Sequence, residues 1–201
     1  VGNNIGLLLR KRTFLTPNLE AAVEVERDRR FTYEELNRRS NRIANRLLAE
    51  GVKPGNRVGL LLMNGVEFVE SFFAIAKVGA VLVSLNWRLV ADELEFILAD
   101  SGTQVLIFGG EFSEIAAEIY SRRDRTALRS WFQSGGDTTL EFACDYDTET
   151  ESSSTKEPAT GARDGDMIYI MYTAGTTGLP KGVVHIHDTC LAGQATAIPC
   201  N

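Results

Sequence analysis

The sequence predicts an α/β fold, with a mostly parallel sheet covered by helices on both faces. Three observations carry the prediction: continuous apolar runs of strand length, amphipathic stretches of helix length between them, and glycine- or proline-bearing turns at the joints. Strands that alternate with helices join in parallel, and a strand buried on both faces has no polar alternation. No internal repeat of solenoid length is present.

The first predicted helix starts at Thr32. Thr32-Tyr-Glu-Glu35 has the form of a capping box, in which each side chain satisfies the other residue's backbone N–H. Leu36, Ile43, Ala44, Leu47 and Leu48 follow at helical spacing, and Gly51 stops the helix. Val58-Gly-Leu-Leu-Leu-Met63 is a buried strand bounded by Lys53-Pro-Gly-Asn56 and Asn64-Gly65. Glu67 to Val78 is the next helix, with Phe68, Phe72, Ile75 and Ala76 on one side and Gly79 as its stop. Ala80 to Leu85 is a second buried strand. A helix over Asp92–Asp100 stops at Gly102, and a strand over Val105–Phe108 and a helix over Glu111–Ile119 follow. Met63, Phe68, Phe72 and Phe73 are assigned to the core. Asp145-Tyr-Asp-Thr-Glu-Thr-Glu-Ser-Ser-Ser-Thr155 breaks the pattern, being acidic, rich in hydroxyls and poor in apolar anchors. It predicts an acidic, linker-like surface loop over about 145–165. Met167–Tyr172 restores the pattern as a buried strand.

Of 201 residues, 44% are hydrophobic and 24% charged, which suits a globular protein with a sizeable core. The net charge of -6, with no basic stripe above it, argues against nucleic acid as a partner. No run approaches the ~20 apolar residues of a membrane span, so no transmembrane segment is expected; peripheral membrane association stays open. Cys144, Cys190 and Cys200 lack metal-ligand spacing and read as reduced thiols, which points to a cytoplasmic setting. The chain opens on Val1 without a secretory pattern and closes on a helix-like stretch broken at Pro199, so a fragment is expected. No metal site is expected. His185 and His187, two apart, would share a face on a strand, but no cysteine or carboxylate cluster completes a site. His187-Asp188 reads instead as the start of a helix with Asp188 as its N-cap, and Asp164 and Asp166 as shaping the approach to the Met167 strand.

The segment richest in chemistry is Thr173-Ala-Gly-Thr-Thr-Gly-Leu-Pro-Lys-Gly182, followed by Val183-Val184. Glycines let a backbone approach a ligand closely, and successive N–H groups in such a turn form an anion-binding concavity. Thr173, Thr176 and Thr177 add hydroxyl donors, and Lys181 adds a positive charge. These groups suit phosphate oxygens. The common nucleotide-triphosphatase loop is excluded, because Gly175 meets Pro180 five positions on and Lys181 precedes Gly182 rather than Ser or Thr. The dinucleotide fingerprint fails too, since no glycine lies two positions before Gly175. Taken alone, the segment is equally compatible with a plain Gly/Thr hairpin.

Tyr172-Thr-Ala-Gly-Thr-Thr-Gly-Leu-Pro-Lys-Gly-Val-Val184 resembles the signature loop of the adenylate-forming (AMP-binding) superfamily, which groups acyl-CoA synthetases, peptide-synthetase adenylation domains and beetle luciferases. Phe31-Thr-Tyr-Glu-Glu-Leu36 and Ala76-Lys-Val-Gly-Ala-Val-Leu-Val-Ser-Leu-Asn86 resemble two earlier motifs in the right order. Asn86-Trp-Arg-Leu89 is similar to the version in fatty-acyl-CoA ligases. Ala174 departs from the pattern, standing where the family usually has Ser or Gly. The lost hydroxyl contact is worth about 1 kcal/mol.

The resemblance implies the N-terminal portion of an AMP-forming, ATP-dependent acid-thiol ligase. Such enzymes use ATP and Mg2+ to activate a carboxylic acid, here a fatty acid, as an acyl-adenylate, and then pass the acyl group to coenzyme A. It further implies that residues 1–201 form the first part of the AMP-binding domain, with the C-terminal domain absent. The phosphate-binding loop at 173–182 would contribute Thr173, Ala174, Gly175, Thr176, Thr177, Gly178 and Lys181. The catalytic residues and metal ligands of the family lie beyond this sequence, so the chain alone is expected to be inactive. Partners are the small-molecule acid and ATP, with homo-oligomerisation left open. Two alternatives stand beside this reading: a non-catalytic binding module of the same fold, and an adenylating enzyme for an aryl or amino acid.

Overall fold

The computed structural model describes residues 4–159, 162–173 and 179–191. The chain runs through α1 (Gly6–Leu15), β1 (Glu20–Glu24), β2 (Arg29–Thr32), α2 (Tyr33–Ala49), β3 (Arg57–Leu61), α3 (Val66–Lys77), β4 (Val81–Ser84), α4 (Ala91–Ser101) and β5 (Thr103–Gly109). It continues through α5 (Ser113–Ser121), β6 (Ser130–Ser134), β7 (Cys144–Asp145), α6 (Tyr146–Glu151), β8 (Met167–Thr173) and β9 (Lys181–Ile186). Seven strands form one sheet in the order β7-β6-β5-β3-β4-β8-β9, while β1 and β2 make a separate antiparallel hairpin. Every pairing in the large sheet is parallel except β8 with β9. No helix among the described residues is long and apolar enough to cross a membrane.

Successive side chains of a strand point to opposite faces, and here each set meets its own helical layer. Val58, Leu60, Leu82, Val105, Ile107 and Phe132 pack with Ile43, Ala44 and Leu47 of α2 and Ala74 and Ile75 of α3. The intervening Leu61, Val83, Leu106, Phe108 and Trp131 pack with Leu94, Ile97 and Leu98 of α4 and Ala116 and Ile119 of α5. The predicted α/β architecture is therefore present, with both faces covered. The Thr32–Glu35 capping box forms as expected: Glu35 N–H donates to Thr32 Oγ1 at 3.2 Å, and Thr32 N–H to Glu35 Oε2 at 2.8 Å. Gly102 ends α4 in the left-handed region at φ 65°.

Several expectations need correction. Leu48 is 38% exposed and Met63 45% exposed, so neither belongs to the core, whereas Phe68, Phe72 and Phe73 are half-buried against it. The segment expected to be an acidic linker carries β7 and α6, and Tyr146 is 1% exposed. Its hydroxyl donates to Glu70 Oε1 at 2.9 Å and lies 3.0 Å from Ser71 Oγ, while Arg39 donates to the same Glu70 carboxylate. Burial pushes the carboxyl of Glu70 up in pKa, and burial beside Glu70 pushes the Tyr146 phenol well up.

The acidic segment is further held by an asparagine ladder on α2. Asn41 Nδ2 donates to Thr155 O at 3.0 Å, and Asn45 Nδ2 to Ser154 O at 2.8 Å and Lys156 O at 2.9 Å. Asn37 accepts from Lys77 Nζ at 2.9 Å, and Lys77 also pairs with Glu157. Polar side chains at i, i+4 and i+8 of one helix thus replace water for a segment with little apolar surface.

Helix α1 seats against α3 through Gly6. A Cβ at this position would lie 2.7 Å from the Lys77 backbone N and 2.8 Å from the Ala76 carbonyl carbon, both rigid helix backbone. We expect Gly6→Ala to destabilise the protein by about 1–3 kcal/mol despite alanine's better helix propensity, because overpacking must displace a helix. Urea denaturation checks this; an unchanged or higher midpoint would refute the close-approach argument.

Candidate phosphate-binding site

The carboxyl ends of β4 and β8 lie side by side. Ser84 pairs with Met171, so Asn86 and Thr173 each follow that pair by two residues. The two sequence motifs around them therefore share one edge of the sheet, where open α/β sheets bind ligands. The Asn86 turn is closed by Arg88 N–H donating to Asn86 Oδ1 at 3.0 Å and Leu89 N–H donating to Asn86 O at 3.1 Å. The Arg88 guanidinium lies 4.1 Å from the centre of the Trp87 ring.

Beyond β8 the chain turns back as β9, with Thr173 opposite Lys181 and Tyr172 opposite Gly182. Thr173 and Lys181 are both exposed at the two roots of the loop. Ala174, Gly175, Thr176, Thr177 and Gly178, the other expected phosphate ligands, lie outside the described residues. Gly182 has a packing reason to be glycine: an added Cβ would meet Ile170 Cγ2 at 2.9 Å and Tyr172 Cζ at 3.2 Å. Tyr172 in turn donates to Asp100 Oδ2 at 2.5 Å, tying the end of β8 to α4. Burial and the Asp100 charge raise the phenol's pKa, so Tyr172 stays a protonated donor. Sequence reasoning missed this link, since nothing in the chain pattern relates residue 172 to residue 100.

The histidines are not two residues of one strand: His185 lies within β9 and His187 starts the helical stretch that follows. His185 stacks on Tyr169 with ring centres 4.3 Å apart. His187 is fully buried, and its Nδ1 accepts from Ile5 N–H at 3.1 Å. The backbone is helical over 187–191, so Asp188 lies inside the first turn rather than at the N-cap. Asp166 accepts from Arg163 N–H at 2.7 Å through Oδ2 and from His187 N–H at 3.1 Å through its carbonyl. Asp164 O accepts from Asp188 N–H at 3.1 Å, so both aspartates brace the approach to β8. Among the described residues, no group of three or more His, Cys, Asp or Glu is placed to hold a metal. Cys144 and Cys190 are free thiols, and Cys200 lies outside the described residues.

A mostly parallel sheet with a Gly/Thr/Lys segment following an inner strand places the chain among open-sheet α/β proteins, and the chain belongs to the AMP-binding enzyme family, whose pattern it matches over residues 9–200. More particularly, it is 42% identical over 187 residues to the long-chain-fatty-acid–CoA ligase FadD13 of Mycobacterium tuberculosis, a match covering 92% of this chain and 35% of that protein. The fatty acid–[acyl-carrier-protein] ligase ScoC of Streptomyces coeruleorubidus is 38% identical over 164 residues, covering 82% of this chain and 30% of ScoC. The solved N-terminal domain of FACL13 from Mycobacterium tuberculosis superposes with a TM-score of 0.86 at 38% identity, covering 98% of this chain and 48% of that one. The chain thus spans about a third of the length of the curated relatives it matches.

Burial lowers the pKa of His187 from its ordinary 6.5, against the opposing pull of Asp166 and Asp164. With the folded value below the unfolded one, the unfolded chain takes up the proton first as pH falls. The stability due to neutral His187 is complete above about 6.5 and is lost as pH falls through the lower folded value. We expect the urea midpoint to drop between pH 7.5 and pH 5, and His187→Asn, which keeps an acceptor for Ile5 but does not titrate, to remove part of that drop. Identical pH profiles for the two proteins would refute it.

Proposed function

We propose that this chain supplies the triphosphate grip of an AMP-forming ligase that activates a fatty acid and passes it to coenzyme A. The observation that carries the reading is the pairing of Thr173 with Lys181 at the carboxyl end of β8. This register holds a hydroxyl and an ammonium at the two roots of a glycine- and threonine-rich loop. In the proposed reaction a carboxylate oxygen attacks the α-phosphorus of ATP, pyrophosphate leaves, and the thiol of coenzyme A then attacks the acyl-adenylate carbonyl to release AMP. Lys181 would neutralise charge on the β- and γ-phosphate oxygens, and Thr173 would donate a hydrogen bond to them. Both act by positioning and charge stabilisation.

Magnesium, when bound, supplies further charge neutralisation on the departing pyrophosphate; the described residues offer no carboxylate cluster for it. The fatty-acid preference is supported by the likeness to FadD13, a long-chain-fatty-acid–CoA ligase, and to ScoC, a fatty acid–[acyl-carrier-protein] ligase, which differ in the acceptor of the acyl group.

The test is pyrophosphate release by the full-length natural protein with magnesium-ATP, coenzyme A and a panel of fatty and aryl acids. Lys181→Ala should lower kcat on the order of a hundredfold, the scale for losing one preorganised charge-stabilising donor, and Thr173→Ala should lower it less. Release driven by aryl rather than fatty acids would move the substrate class. A Lys181→Ala protein as active as the parent would sink the grip itself.

A further inference from the structure

A second cationic feature lies away from the β8–β9 loop. Arg30 and Phe31 of β2, with Glu35, Arg38, Arg39 and Arg42 of α2, line a groove of about 240 Å³. Positions 35, 38, 39 and 42 follow the i, i+3, i+4, i+7 spacing of one helical stripe. Like charges at such spacing cost a helix a few tenths of a kcal/mol per pair, and here they stand out in a chain of net charge -6.

The groove's carboxylates are largely committed. Arg39 is paired with the buried Glu70, Arg30 with Glu20 at 2.7 Å, and the Glu35 carboxylate accepts from Thr32 N–H and Oγ1 in the α2 cap. Arg38 and Arg42 have no carboxylate within ion-pair distance among the described residues. Arg38 is exposed, and Arg42 has a buried Nε without a hydrogen-bond acceptor. Arg39 is also held over the Phe31 ring, with its guanidinium 5.4 Å from the ring centre. One fork is thus fixed beside two that form no ion pair among the described residues, although the Arg38 charge also acts on the Glu35 carboxylate.

We propose that this groove is a second anion site, distinct from the β8–β9 loop, which takes a compact oligophosphate. Planar guanidinium forks match phosphate oxygens in pairs, and two forks without a carboxylate partner call for more than one negative charge. The volume is below the 300–1,000 Å³ usual for drug-sized ligands, which suits a short inorganic chain. Occupation sets phosphate oxygens beside the Arg38 and Arg42 side chains, neither of which has an ion-pair partner among the described residues.

The probe is inorganic triphosphate, titrated calorimetrically into the protein at low salt without nucleotide or magnesium. Lys181→Ala removes the cation of the loop and should leave a binding event intact. Adding Arg38→Gln and Arg42→Gln, which keep the aliphatic stems, should weaken that event at least about tenfold, the scale of losing charge-assisted bonds. Arg38→Lys with Arg42→Lys should retain part of it, and rising salt should weaken it steeply. Arg38→Gln alone, at an exposed position, serves should the double variant unfold. A Lys181→Ala protein that binds no triphosphate, or binding indifferent to the glutamine substitutions, would overturn the proposal. Its failure leaves the ligase reading intact, because that reading rests on Thr173 and Lys181 rather than on Arg38 or Arg42.

Discussion

The structure depends on one constraint: parallel strands cannot be joined by tight turns, so each crossover must travel, and its handedness decides where it goes. From β3 the chain passes through α3 to β4 on one side of the sheet order, then through α4 back past β3 to β5 on the other. Right-handed crossovers in opposite directions put their helices on opposite faces. Each strand then has two faces to bury, which is why adjacent residues such as Ile107 and Phe108 belong to different cores. The same reversal sends the connections that leave β3 and β4 to opposite faces of the sheet, next to the strand β8 that carries the loop.

Charge inside this frame is handled by pairing. Glu70 is 1% exposed and Lys77 is wholly buried, yet Glu70 has Arg39 and Tyr146, and Lys77 has Asn37 and Glu157. Removing one partner from such a buried pair costs about 3–5 kcal/mol, far more than an exposed ion pair contributes. Both networks join α2 and α3 to residues after 145. A segment too polar to fold by apolar burial is thereby fastened to the core by specific acceptors and donors.

The sheet centre was legible because β3, β4 and β5 are continuous apolar runs with turn residues on either side, and because Thr32, Glu35 and Gly102 mark helix ends chemically. Helix α1 was not legible: only Gly6 and Leu9 are buried, so no apolar stripe announces it. Nor was α6, whose single large apolar anchor is Tyr146 amid acidic and hydroxyl residues. At the site, Thr173 and Lys181 were readable from composition, but the nearness of Asn86 was not, because strand order leaves no trace in local periodicity. His187 does start a helical stretch as read, but its burial was not legible, since its partner, the Ile5 N–H, lies 182 residues away.

That last hydrogen bond has a kinetic side. The amide of Ile5 and the imidazole that accepts from it are separated by 182 residues of synthesis. At ordinary elongation rates of about 5–20 residues per second, the interval is roughly ten to forty seconds. Until then the amino end of α1 lacks its anchor, while its other end carries the exposed Phe14 and Leu15. The nascent chain therefore carries a half-fastened helix with an exposed apolar end through that interval, the kind of surface that holdase chaperones cover.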